Sequence, residues 1–167
     1  MTLVIDNMGA FMDIWKKITM SALHNYTVNL VWKDGRQGLL SSSELEQSLE
    51  VATPPPFPKG VEGVWSPEHL FTSSVSSCLM TTFLVIAENF KLEFESFNCK
   101  ATGKLEKTEG RYLMTEILLE PHLVIASDED IEKAQRVLEK AEAACLISNS
   151  IKSRVIMRPT IIVGSMA

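Results

Sequence analysis

A chain of 167 residues is long enough for one domain with a sizeable core. Its hydrophobic content of 46% and charged content of 22% are typical of a soluble globular protein. The net charge of −5 argues against a nucleic-acid-binding surface, and three cysteines are too few for a secreted disulfide scaffold. The first 19 residues lack the basic start and apolar run of a signal peptide, so the sequence predicts a cytoplasmic protein.

The N-terminal segment differs from the rest of the chain. Residues 8–22 carry apolar side chains at helical spacing, which predicts a short amphipathic helix. Met20 could equally be the natural start of the protein. The sequence therefore predicts an N-terminal extension at residues 1–22 and a single folded domain at residues 23–167.

Three strands are expected before a proline-rich loop. Alternation of side chains predicts them at residues 26–32, 37–42 and 45–52. The Asp34-Gly35 pair is a strong hairpin turn signal between the first two strands. Residues 53–63 contain four prolines and two glycines, so we expect an ordered loop there rather than regular structure.

A long helix is predicted from Ser66 to about Phe90. Ser66 is a suitable N-cap, and Pro67 suits the first helical position. No formal charge occurs from His69 to Ala87, which is nearly the length of a membrane-spanning helix. Seven serine and threonine residues in that stretch argue against a helix facing lipid. We therefore expect no membrane partner and a helix buried on nearly all sides.

The second half of the chain predicts two strands, a helix and a closing strand. The strands are expected at residues 93–105 and 111–125. A helix starts at Ser127, which makes a capping box with Asp130, and a strand within residues 154–163 ends the fold. This order predicts an α+β fold with both helices on one face of a mainly antiparallel sheet. The small hydroxyl side chains of the long helix favour close approach of a second copy, hence a homodimer.

Two cysteines fall on the apolar stripes of the two predicted helices. Cys78 lies in the middle of the long helix, and Cys145 lies at the end of the second. One buried thiol is usually inert, but two thiols on packed helices can cycle between dithiol and disulfide. Glu68 could hold an arginine or lysine over the Cys78 thiol and so stabilise the thiolate. Cys99 lies on a strand with no acid or base motif near it, so we interpret it as structural.

Two motifs point to a known family. The run Ser66-Pro67-Glu68-His69-Leu70-Phe71, with Cys78 ten residues after the glutamate, resembles the OsmC/Ohr family of organic hydroperoxide reductases. The run Cys145-Leu146-Ile147-Ser148-Asn149 resembles the family's second motif, Cys-Pro-x-Ser. The resemblance covers residues 26–163. It implies an OsmC-like domain with an antiparallel sheet wrapped around a long central helix plus a second helix, in an intertwined homodimer with two active sites at the subunit interface.

The resemblance also implies roles for individual residues. Cys78 matches the peroxidatic cysteine, Cys145 the resolving cysteine, and Glu68 the glutamate that holds the active-site arginine. In the family that arginine lies on the first hairpin; here its position falls on Lys33, and Arg36 follows three residues later. A lysine lacks the planar fork that binds thiolate and glutamate together. Either Arg36 takes the role or Lys33 serves.

A second departure from the family pattern follows the second cysteine, where Leu146 replaces the usual proline. The departures at Lys33 and Leu146 indicate a divergent member of the family.

The implied function is a thiol-dependent peroxidase that reduces organic hydroperoxides. The reaction would pass through a Cys78 sulfenic acid and a Cys78–Cys145 disulfide, which an external dithiol reduces. An apolar pocket would favour alkyl or fatty hydroperoxides, and no metal, flavin or haem would be needed. The alternative is a catalytically weak or inactive dimer of the same fold that binds an apolar ligand. A hotdog-type thioesterase ranks last because no motif specifies coenzyme binding.

Overall fold

The computed structural model describes residues 23–164, and the helix predicted at residues 8–22 lies outside them. The predicted α+β class is confirmed. In chain order the elements are β1 (Asn29–Asp34), β2 (Gln37–Ser41), β3 (Leu49–Ala52), α1 (Pro67–Phe90), β4 (Phe94–Thr108), β5 (Arg111–Ile125), α2 (Ile131–Ala144), α3 (Leu146–Ser150), β6 (Arg154–Met157) and β7 (Thr160–Val163).

The first sheet is an antiparallel meander with the order β1-β2-β3. The predicted Asp34-Gly35 turn is confirmed: Gly35 has φ of 49°, and its amide donates to the Asp34 carboxylate at 2.8 Å. The third strand begins at Leu49 rather than at residue 45. Ser42 ends the pairing earlier because its backbone carbonyl accepts from the Leu45 amide at 3.2 Å, which turns the chain out of the sheet.

The start of α1 is held by a capping box, as the local sequence allows. The His69 amide donates to the Ser66 hydroxyl at 3.4 Å, and the Ser66 amide donates to His69 Nδ1 at 3.3 Å. Pro67 occupies the first helical position. The helix ends at Phe90 because Lys91 adopts a left-handed conformation with φ of 50°. The predicted bounds of the long helix are confirmed.

One stripe of α1 is buried, and it consists of Val75, Leu79, Phe83 and Ala87. This stripe packs against β4, β5 and α2. The expectation of a helix buried on nearly all sides is wrong for the single chain, because Met80, Leu84 and Val85 are exposed. By length and composition α1 could cross a membrane, so the absence of a membrane partner stays a prediction.

The second sheet is built on the long antiparallel β4–β5 hairpin, so the pairing is mainly antiparallel as predicted, with two short parallel additions. β4 and β5 pair antiparallel, whereas β6 and β7 both pair parallel to β5. The parallel pairing arises because the chain crosses over through α2 before it returns to the sheet. The closing strand is divided because the flanking registers place Pro159 opposite Pro121, and proline has no amide to donate.

The start of α2 differs from the prediction. A short 3₁₀ turn (Asp128–Asp130) intervenes, and the helix begins at Ile131. In this tighter turn the Ser127 hydroxyl accepts from the Glu129 amide at 3.3 Å, so the predicted capping box with Asp130 is wrong. The buried stripe of α2 consists of Ala134, Val137, Leu138 and Ala141.

Phe83 joins α1 to the β4 face of the core. Its ring stacks on Phe97 with centroids 4.7 Å apart and meets Phe94 edge-on at 5.2 Å. We expect Phe83→Ala to lower the free energy of unfolding by about 3–5 kcal/mol, because it leaves a cavity in a closely packed core. Urea unfolding at a fixed protein concentration measures the change. Ile131→Ala, at a side chain already 44% exposed, should cost less than about 1 kcal/mol. Equal losses would contradict this description of the core.

Candidate active site

The packing of α1 against α3 brings Cys78 and Cys145 together. Cys78 is half-buried in the middle of α1. Cys145 is fully buried and caps the end of α2, four residues after the buried Ala141, so it continues the predicted stripe just beyond the last residue of the helix. Its amide bonds the Glu142 carbonyl at 3.1 Å, and this tighter last turn ends α2 one residue earlier. The two side chains are close enough for each to shift the pKa of the other.

The surroundings of Cys78 favour its thiolate. Burial by itself raises the pKa of this thiol, but hydrogen bonds to the sulfur outweigh burial and the pKa lies below its ordinary value. The Ile147 amide donates to the sulfur at 3.4 Å. The nearby Cys145 and Thr82 side chains and the Leu146 backbone also act to lower the pKa of this thiol. Since donors stabilise the charged form, Cys78 is the more nucleophilic of the pair.

The surroundings of Cys145 favour its neutral thiol. Burial raises the pKa of Cys145; donors on Ser148 act in the opposite direction, and the neighbouring Cys78 raises the pKa further. The Ser148 hydroxyl is buried beside this sulfur, yet it makes no hydrogen bond of ordinary geometry within residues 23–164. The pair can therefore hold one negative charge on Cys78 while Cys145 stays neutral.

The Glu68 carboxylate has one buried oxygen, Oε2, that lacks a hydrogen-bond partner within residues 23–164. Lys33 and Arg36 are both exposed, on β1 and in the turn to β2, and the ion pairs of residues 23–164 include none between either cation and Glu68. The groups that shift the pKa of Cys78 likewise include no lysine or arginine from residues 23–164. The structure thus brings the two cysteines together but not the cation, whose role stays a prediction.

An apolar cavity of about 560 Å³ lies between the proline-rich loop, the start of α1 and β4. Phe57, Trp65 and Met114 line it, together with Glu68 and Cys99. Cys78 is not among its lining residues. Burial raises the pKa of the Cys99 thiol, which donates to the Lys100 carbonyl at 3.7 Å. Cys99 is therefore apart from the cysteine pair, and the interpretation of it as structural stays a prediction.

Sequence reasoning missed most of the donors around Cys78. The sequence analysis does not single out Thr82, although it follows Cys78 by four residues, and that spacing could have identified it. Ile147 acts through its backbone amide, which carries no side-chain signal. Ser148 was noted only as part of the second motif. Its position beside the Cys145 sulfur follows from the turn between α2 and α3.

The unequal pKa values predict selective alkylation. At pH 7 and limiting iodoacetamide, the reduced protein should be modified at Cys78 before Cys145 and Cys99, because a lowered pKa gives more thiolate and a raised pKa gives less. The Cys78 rate should fall as the pH drops through its lowered pKa. Peptide mass spectrometry measures the three sites in one sample, so each cysteine serves as control for the others. First modification at Cys99 would contradict the assignment.

Comparison with known proteins gives the family. The family model for OsmC-like proteins matches residues 60–159. The chain is also 25% identical over 140 residues to the uncharacterized protein YmaD of Bacillus subtilis, across 79% of this chain and 89% of that protein.

Solved structures share the fold. An OsmC-like protein of unknown function from Vibrio cholerae matches with a TM-score of 0.75 and 24% identity, over 83% of this chain and 100% of that one. An organic hydroperoxide resistance protein from Elizabethkingia anophelis matches with a TM-score of 0.67 and 23% identity, over 87% of this chain and 100% of that one. The organic hydroperoxide resistance protein OhrB of Bacillus subtilis matches with a TM-score of 0.61 and 20% identity, over 81% of this chain and 98% of that one. The family model matches more than half of this chain, which therefore belongs to the OsmC-like protein family.

Proposed function

We propose that this protein is a cysteine-based peroxidase that reduces organic hydroperoxides. The contact between Cys78, whose pKa is lowered, and Cys145, whose pKa is raised, carries the proposal. The pair provides a nucleophile and a nearby thiol that can resolve its oxidised form. The names of the two relatives from Elizabethkingia anophelis and Bacillus subtilis, both organic hydroperoxide resistance proteins, support the same chemistry.

The proposed cycle needs no group beyond the two thiols and an external dithiol. The Cys78 thiolate attacks the terminal oxygen of the hydroperoxide; the O–O bond breaks, and the alkoxide takes up a proton and leaves as an alcohol. Cys145 attacks the resulting Cys78 sulfenic acid, which forms the disulfide and releases water. Two exchange steps with an external dithiol restore both thiols and leave that dithiol as its own disulfide.

The contact between the side chains favours rapid resolution. Each cysteine is close enough to shift the pKa of the other, so the disulfide can form without a large movement of α3 relative to α1. A cytoplasmic location, the identity of the dithiol and a domain boundary after residue 22 remain predictions alongside this cycle.

A second candidate is a dimer that binds an apolar ligand with little or no turnover. The cavity of about 560 Å³ supports it, because Cys78 does not line that cavity. The replacement of the family arginine by Lys33 favours the same alternative, since a lysine cannot bind thiolate and glutamate through one planar fork.

Peroxide turnover separates the two candidates. With cumene hydroperoxide and dithiothreitol, the wild type should turn over and Cys78→Ser should lose the activity, whereas Cys99→Ser should retain it. After one equivalent of tert-butyl hydroperoxide, the intact mass of the wild type should fall by two hydrogens. Cys145→Ser should instead gain one oxygen at Cys78. Equal, slow consumption of peroxide by the wild type and Cys78→Ser would favour the ligand-binding dimer.

The proposed biological unit is a homodimer in which a second copy completes the site. All six residues of β1 are exposed in the single chain, including Trp32 at 71%. The exposed face of α1 adds Leu84 and Val85. Apolar surface on both elements favours burial against another copy. Such a copy could also bring its own Lys33 or Arg36 to the unpaired oxygen of Glu68.

Exchange of subunits tests the source of the cation. Lys33→Ala and Arg36→Ala are compared, and the variant that removes the cation should lower turnover about tenfold or more, since one unit of pKa is a tenfold change in thiolate. When that inactive variant is co-expressed with Cys78→Ser, heterodimers should regain activity if the cation crosses the interface. If activity does not recover, the cation acts within its own subunit. Full activity of the Lys33→Ala/Arg36→Ala double variant would exclude this hairpin as the source of the cation.

A further inference from the structure

The apolar cavity of about 560 Å³ between the proline-rich loop, α1 and β4 has one carboxylate in its wall. The Glu68 side chain lines the cavity, and among residues 23–164 no lysine or arginine does. One oxygen of this carboxylate is shut off from solvent and has no hydrogen-bond partner within the same residues. The negative charge beside the cavity is therefore incompletely solvated and unpaired, which is costly.

The hydroxyl groups that α1 contributes to the wall have already donated their hydrogens. The Thr72 hydroxyl donates to the Glu68 carbonyl at 2.8 Å. The hydroxyls of Ser73 and Ser76 donate to the carbonyls three residues earlier, at 3.0 and 3.1 Å. These side chains can offer a ligand only the lone pairs of their oxygens. They therefore add acceptors to the wall rather than donors.

The remaining side-chain donors of the wall lie mainly on its exposed side. Trp65, His69 and Thr102 are exposed residues, so water can accept from their N–H and O–H groups. The Cys99 thiol is less exposed and donates to the Lys100 carbonyl at 3.7 Å. The less accessible part of the cavity thus presents acceptors and a negative charge.

We propose that this cavity binds a small organic cation, an ammonium group on an apolar alkyl or aryl chain, whose N–H groups donate to the Glu68 carboxylate. An ammonium group has three donors and no acceptor, which is the complement of this wall. The side chains of Phe57, Leu105 and Met114 provide apolar surface for the chain of the ligand. The volume of the cavity lies in the range of small-molecule sites, roughly 300–1,000 Å³.

The inference rests on the second candidate function, because it names the chemistry of the ligand that such a protein binds. It does not involve the cysteine pair, since Cys78 does not line the cavity. Ten residues separate Glu68 from Cys78 on α1, which at a rise of about 1.5 Å per residue puts their backbones roughly 15 Å apart along the helix.

Three eight-carbon ligands that differ only in their head group test the charge. Octylamine, octanol and octanoate are titrated into the reduced full-length protein at pH 7 by isothermal calorimetry. Octylamine should bind at least about tenfold more tightly than octanol, because a hydrogen bond to a charged group contributes more than one between neutral groups. Octanoate should bind most weakly, since Glu68 repels it. Equal affinities for octylamine and octanol, or tighter binding of octanoate, would overturn the proposal.

Glu68→Gln removes the charge and keeps the size of the side chain. Its affinity for octylamine should fall about tenfold, to that for octanol, while its affinity for octanol stays unchanged. Glu88→Gln is the matched control, because Glu88 is an exposed acid near the other end of α1 that does not line the cavity. It should bind all three ligands like the wild type. An equal loss in both variants would indicate attraction by the net charge of −5 and would contradict a specific site.

Cys99 locates the ligand in the wild type, so the test does not depend on a variant that folds. This thiol lines the cavity and can be followed by its alkylation with iodoacetamide. At ten times its dissociation constant, octylamine should slow the alkylation of Cys99 about tenfold, because only the small unoccupied fraction reacts. Octylamine that binds without protecting Cys99 lies elsewhere, and the proposal would then fail.

The Lys33→Ala/Arg36→Ala double variant separates a ligand from a cation of the protein itself. If it binds octylamine as the wild type does, the Glu68 carboxylate is available to a ligand, as proposed. If only the double variant prefers octylamine over octanol, a cation of the hairpin occupies Glu68 in the wild type, and the proposal is refuted.

The outcomes also distinguish this inference from the functions proposed above. Binding of octanol and octylamine with equal affinity would keep the ligand-binding function and refute the preference for a cation. Binding of none of the three ligands would refute both. Peroxide turnover through Cys78 is measured separately and decides neither result.

Discussion

The contact between α1 and α3 is the interaction on which the chemistry of this protein depends. Cys78 lies on α1, while the Ile147 amide that bonds its sulfur comes from a segment 69 residues further along the chain. A thiol on an isolated helix would lack these donors and titrate near its ordinary pKa. Packing of the two helices therefore lowers the pKa of Cys78, and the same packing places Cys145 where the proposed cycle needs a second thiol.

Burial and the direction of hydrogen bonds hold the two sulfurs in different states. Cys145 is inaccessible to solvent, and burial disfavours its ionisation. Cys78 is only half-buried, and its sulfur accepts a hydrogen bond from the Ile147 amide, which lowers its pKa. A peroxidase needs this asymmetry, because the ionised sulfur attacks first and the neutral one acts afterwards. The difference in pKa between the two cysteines follows from their surroundings, because the two side chains are chemically identical.

Two features of the single chain favour a second copy: a buried carboxylate without a partner and an exposed apolar strand. Glu68 buries a carboxylate oxygen with no partner within residues 23–164, and β1 is exposed along its whole length. Burying an unpaired carboxylate is costly. A second copy that brought a cation to Glu68 would pair this carboxylate and would also bury the apolar surface of β1.

The sequence by itself determined the features that depend on a few neighbouring residues: the Asp34-Gly35 turn, the cap of α1 at Ser66, and the α+β order of elements. It also singled out Cys78 and Cys145. It missed the break at Pro159, because that break depends on how distant segments meet. Only the tertiary structure decided which groups surround the Cys78 sulfur, since backbone amides have no signature in the sequence and helix packing alone determines where they point.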